Sequence, residues 1–113
     1  MDISLTEESN GKEVEVNVGQ SFVISLSENP TTGYVWRFVK VGNLQQNAGP
    51  ICSKMSDAFV PKHGTSSPVG RPGIHQWRFR ADAPGTATVE LQLVRPWDAG
   101  SVKRSFVLHL RVI

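Results

Sequence analysis

The chain has 113 residues, 39% of them hydrophobic and 19% charged; this fits one domain over residues 1–113 and excludes a disordered chain. The formal net charge is +2 and the basic residues are scattered, Lys103-Arg104 being the nearest thing to a run, so no clustered patch points to a nucleic-acid partner. The single cysteine, Cys52, excludes an internal disulfide, and no apolar run approaches the roughly 20 residues that a bilayer crossing takes.

In chain order, strand A falls in two pieces, 3–7 and 13–18, where Val14, Val16 and Val18 alternate with Glu13, Glu15 and Asn17. Asn10-Gly11 between the pieces favours a tight hairpin turn, since both residues tolerate positive φ. Strand B, 21–27, alternates Phe22, Ile24 and Leu26 with Ser21, Ser25 and Ser27, Val23 being the one apolar exception. Strand C, 34–41, sets Tyr34, Trp36 and Phe38 on one face. A connection follows over 42–50, then a weak strand D at 55–60. Strand E, 74–80, carries Trp77 and Phe79. Strand F, 86–94, and strand G, 102–112, complete the set with Ala87, Val89, Leu91 and Leu93, then Phe106, Leu108, Leu110 and Val112. Period two throughout is the mark of half-buried strands, and a slip of one residue turns each apolar set to water. Seven prolines and ten glycines suit short strands joined by tight turns. The expected fold is all-β: an immunoglobulin-like β-sandwich of about seven to eight strands, with a core Trp on the third main strand.

If successive strands alternate in direction, the B–C, D–E and F–G loops leave at one end of the sandwich. These loops hold the least ordinary residues of the chain. The B–C loop reads Glu28-Asn29-Pro30-Thr31-Thr32-Gly33. Pro30 fixes its own φ and holds Asn29 extended, while Gly33 permits a positive φ at the exit. The result is a stiff, projecting loop tipped by two hydroxyls. The D–E loop, Pro61 to Gly73, is long and rich in Gly, Ser and Pro; loops of that length without regular structure are uncommon unless functional or mobile. The F–G loop holds Arg95-Pro96-Trp97-Asp98-Ala99-Gly100, with Trp97 presented after a proline that ends the ladder. Tryptophan and arginine are favoured in interface hot spots; the competing reading folds Trp97 back onto the sandwich end.

Catalysis is poorly supported. Cys52 with His63 or His75 as base lacks a recognisable setting. The acids gather near the N-terminus, at Glu7-Glu8 and Glu13-Glu15, and do not form a catalytic pair. His63, His75 and His109 lack metal-ligand spacing, and His109 alternates outward on its strand. No cofactor and no metal are expected. An immunoglobulin-like adhesion or binding module that uses the same loops is the alternative the fold permits.

Asn29-Pro30-Thr31-Thr32-Gly33-Tyr34, then Gly70-Arg71-Pro72-Gly73, then Arg95-Pro96-Trp97 resemble, in order and spacing, the three signature loops of the chagasin family. Members of that family inhibit papain-like (clan CA, family C1) cysteine peptidases and have an immunoglobulin-like fold. The resemblance implies an inhibitor without enzyme activity that plugs a peptidase cleft with loops 29–34, 62–73 and 95–100; binding is expected to be reversible and noncovalent, since neither Thr nor Cys52 needs to react, and a monomer is the simpler expectation. Its implied partners are cathepsin L-like or cathepsin B-like peptidases, not nucleic acid or membrane. It places Thr31 and Thr32 beside the catalytic Cys and His of the peptidase, with Pro30 and Gly33 shaping that wedge. Gly70 to Gly73 run along the non-primed cleft, and Trp97, framed by Arg95 and Pro96, packs on the primed side. The second motif departs from the family's Gly-X-Gly-Gly: Pro72 has no N–H donor and is stiffer than glycine, which weakens the expected pairing of that loop. Met1-Asp2-Ile3-Ser4 has neither a basic n-region nor a long apolar h-region. With the lone cysteine, this gives a cytoplasmic expectation, with a route to lysosome-like or endocytic vesicles left open.

Overall fold

The computed structural model describes residues 3–29, 32–43, 51–61, 73–98 and 100–113. Its strands are β1 (Ile3–Leu5), β2 (Glu13–Val16), β3 (Ser21–Glu28), β4 (Val35–Asn43), β5 (Cys52–Pro61), β6 (Gly73–Ala81), β7 (Gly85–Val94) and β8 (Arg104–Val112). They form two four-stranded sheets, ordered β1-β3-β6-β5 and β2-β8-β7-β4. This is the immunoglobulin-like sandwich that the alternation predicts.

The inward rows follow the sequence parity. Phe22, Ile24 and Leu26 of β3 and Trp77 and Phe79 of β6 face Val89 and Leu91 of β7 and Phe106, Leu108 and Leu110 of β8, all buried. Phe22 and Phe79 stack with ring centroids 5.2 Å apart. Burying one such side chain stabilises the fold by about 1.5–3 kcal/mol, so these rows fix the register. Outward positions on β8 such as His109 and Arg111 are exposed.

Three expectations need correction. Asn10-Gly11 does not close a hairpin. β1 pairs parallel to β3 in one sheet and β2 parallel to β8 in the other, so the turn moves the chain between sheets. Gly11 takes φ 78°, but Asn10 has φ −57° and its side chain instead accepts from the Val107 N–H at 2.8 Å. Secondly, residues 6 and 7, expected as the end of the first strand, are not strand. Thr6 caps a 3-10 turn, Glu7–Ser9, where its hydroxyl offers the backbone an alternative to the ladder. Thirdly, strand D is not weak: β5 runs ten residues against β6, with a bulge between Lys54 and Ser56. It is an edge strand whose Lys54 to Ala58 are all exposed, so alternation alone under-reads it.

Pairing registers place the loops. Glu28 of β3 lies opposite Gly73 of β6, and Gly73 opposite Pro61 of β5. Val35 of β4 lies opposite Val94 of β7. The β3–β4, β5–β6 and β7–β8 connections therefore leave from the same end, as the alternating directions require.

Candidate functional site at the loop end

Residues 29–34, here the threonine loop, cross from one sheet to the other. Thr32 turns the chain: its N–H and its hydroxyl both donate to the Asn29 carbonyl, at 3.1 and 2.8 Å. The same hydroxyl oxygen accepts from the Tyr34 N–H at 3.3 Å. Thr32 is exposed, yet its hydroxyl is engaged inside the loop. Gly33 takes φ 82°, a left-handed backbone that a Cβ disfavours. Pro30 and Thr31 lie outside the described residues.

Residues 95–100, the tryptophan loop, close on themselves. The Asp98 N–H donates to the Arg95 carbonyl at 2.9 Å, and the Ser101 N–H to the Asp98 carbonyl at 3.1 Å. Ser101 Oγ accepts from the Arg95 N–H at 2.8 Å and donates to the Asp98 carbonyl at 2.6 Å. The Asp98 carboxylate accepts from the Gly100 N–H at 3.1 Å. This turn lifts Trp97 to 74% exposure, with exposed Pro96 before it. Trp97 is not folded into the sandwich.

The two loops meet. A Cβ built on Gly33 would stand 2.9 Å from Trp97 Cη2, so the missing side chain of Gly33 is the seat of the indole edge. Tyr34 forms a second joint. The Arg95 guanidinium carbon lies 4.7 Å and Lys103 Nζ 5.0 Å from its ring centroid, both within cation–π range. Arg95 thus lies over Tyr34 and ties the loops together, and Lys103, in sequence one half of the nearest thing to a basic run, shares that ring.

Of the third loop, only its last residue, Gly73, is described; it pairs with Glu28 and Pro61. Gly70, Arg71 and Pro72 lie outside the described residues, as does His63. The loop's two ends are nonetheless fixed beside Asn29 by the register of β3, β6 and β5.

Sequence reading missed four residues that shape this end: Glu28, Asp98, Ser101 and Lys103. Glu28 had a signal, since parity places it on the inward row of Phe22, Ile24 and Leu26. It is buried at 6% exposure. Its Oε1 accepts from the Trp36 N–H at 2.6 Å and stands 3.2 Å from His75 Nδ1. Among the described residues, no buried side-chain nitrogen or oxygen lacks a partner, and no group of acids, His and Cys could hold a metal ion.

Cys52 is buried. Burial, with the nearby Asp82 charge adding to it, pushes its thiol up to about 12, so it is no thiolate nucleophile at neutral pH.

Comparison with known proteins gives the family of the chain. The profile of the chagasin family peptidase inhibitors, I42, matches residues 15–112. Chagasin from Trypanosoma cruzi is 30% identical over 101 residues, covering 89% of this chain and 88% of its own. Amoebiasin-1 from Entamoeba histolytica is 26% identical over 112 residues, covering 97% and 99%. The crystal structure of EhICP2, a cysteine protease inhibitor from Entamoeba histolytica, superposes with a TM-score of 0.80 at 25% identity, covering 99% of this chain and 96% of its own. The chain belongs to the chagasin family of peptidase inhibitors, and it is an inhibitor, not an enzyme.

Proposed function

We propose that the chain inhibits papain-like cysteine peptidases of the cathepsin L or cathepsin B kind, as a monomer, by plugging the active-site cleft with loops 29–34, 62–73 and 95–100. In this reading Asn29, Pro30, Thr31, Thr32, Gly33 and Tyr34 form the wedge that enters beside the catalytic Cys and His. Gly70, Arg71, Pro72 and Gly73 run along the non-primed cleft, and Arg95, Pro96 and Trp97 meet the primed side. The observation that carries the reading is the seat of Trp97 on Gly33: the exit of the threonine loop and the indole are joined before any partner arrives. A preordered surface loses little conformational entropy on binding, so more contact energy becomes affinity. Three loops can bury about 800 Å² per partner, the usual scale for protease–inhibitor pairs.

No covalent step is needed, since Cys52 is buried and the Thr32 hydroxyl is engaged within its own loop. Inhibition is therefore expected to reverse fully on dilution. The test is residual papain and cathepsin L activity with purified protein. Replacing Thr31 and Thr32 by arginine should weaken inhibition at least about 100-fold, on the scale of an interface hot spot, with the melting temperature nearly unchanged. Full peptidase activity at micromolar wild-type protein would remove this reading.

A further inference from the structure

The threonine loop joins strands that are not neighbours in either sheet. β3 belongs to one sheet and β4 to the other, so no ladder hydrogen bonds hold the two stems of the loop together. What holds them is a pair of side-chain bonds across the mouth. The Glu28 carboxylate accepts from the Trp36 N–H at 2.6 Å, and the Trp36 indole N–H donates to the Ser27 carbonyl at 2.9 Å. Residues 28 and 36 bracket the loop, so the carboxylate closes it as a buckle closes a strap. A carboxyl group with only 5% of its side chain exposed is costly to bury without such partners.

The cluster continues into the third loop's hairpin. His75 lies on β6, two residues after Gly73, with Nδ1 3.2 Å from Glu28 Oε1 and Nε2 3.5 Å from Asp57 Oδ2 on β5. Its ring stacks on Trp77, centroids 4.0 Å apart and planes 6° apart, which fixes its orientation. Glu28 thus receives a donor from β4 and a partner from β6, and through His75 it is linked to β5.

We propose that Glu28 is the positioning residue that sets the threonine loop for binding, by buckling its two stems and tying them to the β5–β6 hairpin. This inference rests on the inhibitory reading above. It makes reach, not charge, the decisive property. Glu28→Gln keeps the length and an oxygen acceptor for the Trp36 N–H. Glu28→Asp keeps the charge but is one methylene too short to hold both partners. Both changes are small enough for the core rows to survive.

The experiment measures inhibition constants for papain alongside amide hydrogen exchange at Trp36 and Thr32. The expected result for Glu28→Asp is inhibition about tenfold weaker, equal to about 1.4 kcal/mol, with faster exchange at both amides and unchanged protection of the β7–β8 ladder. Glu28→Gln should stay within about threefold of wild type, the rescue that a role resting on charge does not give, while the unchanged β7–β8 protection sets the effect apart from a general loss of stability. The proposal is overturned if Glu28→Asp inhibits as well as wild type, or if Glu28→Gln loses as much as Glu28→Asp. A wild-type protein that fails to inhibit papain removes the inhibitory reading instead, and in that case the exchange rates alone still decide whether Glu28 buckles the loop.

Discussion

The two described loops at the functional end are stiffened in opposite ways. The tryptophan loop holds itself: Arg95, Asp98, Gly100 and Ser101 exchange hydrogen bonds within seven consecutive residues. The threonine loop has an internal Thr32 turn but takes most of its restraint from elsewhere. Its stems are tied by Glu28, Trp36 and Glu7, its exit glycine is covered by Trp97, and Tyr34 lies against Arg95 and Lys103. One loop is a template and the other is fitted to it. Disturbing the tryptophan loop should therefore disorder both, whereas disturbing the threonine loop should leave its neighbour intact.

The largest expected effect breaks the joint itself. Trp97→Ala removes the indole that Gly33 receives and the most exposed aromatic surface of this end. Hot-spot aromatics contribute about 2–4 kcal/mol, so inhibition of papain should fall by about 30- to 1,000-fold. The melting temperature should move by no more than about 2 °C, because a side chain 74% exposed contributes little to the core. A loss of only a few-fold in the inhibition constant would mean that the indole is decoration, and the template picture would go with it.

A smaller effect sharpens the direction of control. Ser101→Ala removes one hydroxyl that both accepts from Arg95 and donates to Asp98. At about 1 kcal/mol for each of the two hydrogen bonds, inhibition should weaken by up to about 30-fold. Amide exchange should quicken at Asp98 and also at Thr32 and Tyr34, on the other loop. Faster exchange confined to residues 95–101 would show that the loops are held independently.

Much of this arrangement is legible in the sequence, for physical reasons that differ by element. The strands are readable because Phe22, Ile24 and Leu26, or Leu108 and Leu110, bury every second residue, and burial of large apolar groups dominates the energy. The loop cluster is readable because alternating strand directions put every second connection at one end. Gly33 is readable from its place after Pro30, Thr31 and Thr32, since a turn there demands a left-handed residue. What the sequence hides is the pairing of polar groups across long separations. Glu28 with Trp36 across the two sheets, Glu28 with His75 on neighbouring strands of one sheet, and Asn10 with Val107 are brought together only by the folded topology, and nothing local marks these pairings. Asn10-Gly11 misleads for the same reason. Its local chemistry favours a hairpin, but β1 and β2 gain more by joining separate sheets. The 3-10 turn after Thr6 was legible in principle, as Thr6 and Ser9 stand at capping-box spacing.

The smallest effect separates the loops by pH. Glu7 reaches from the 3-10 turn to the stem of the threonine loop, where its carboxylate accepts from the Ser27 N–H. Partial burial opposes its charge, but hydrogen bonds from Ser27 and from its own N–H, together with the charge of Arg104, outweigh that cost and leave its pKa lowered. A carboxyl lowered in the folded state adds stability that is present above the unfolded value, near 4.3, and is lost as pH falls through the folded one. Between neutrality and about pH 5, Glu7 should therefore contribute steadily, and below about pH 4 its hold on Ser27 should fade. Among the described residues, no hydrogen bond ties the tryptophan loop to Glu7. On acidification, exchange at the Ser27 and Thr32 amides should accelerate, relative to intrinsic rates, before that at Asp98. Glu7→Gln, which cannot titrate, should abolish that difference and cost well under 1 kcal/mol at pH 7, as expected for an exposed carboxylate. Equal acceleration of both loops in wild type would mean that acid acts on the whole sandwich, and the stem of the threonine loop would lose its separate anchor.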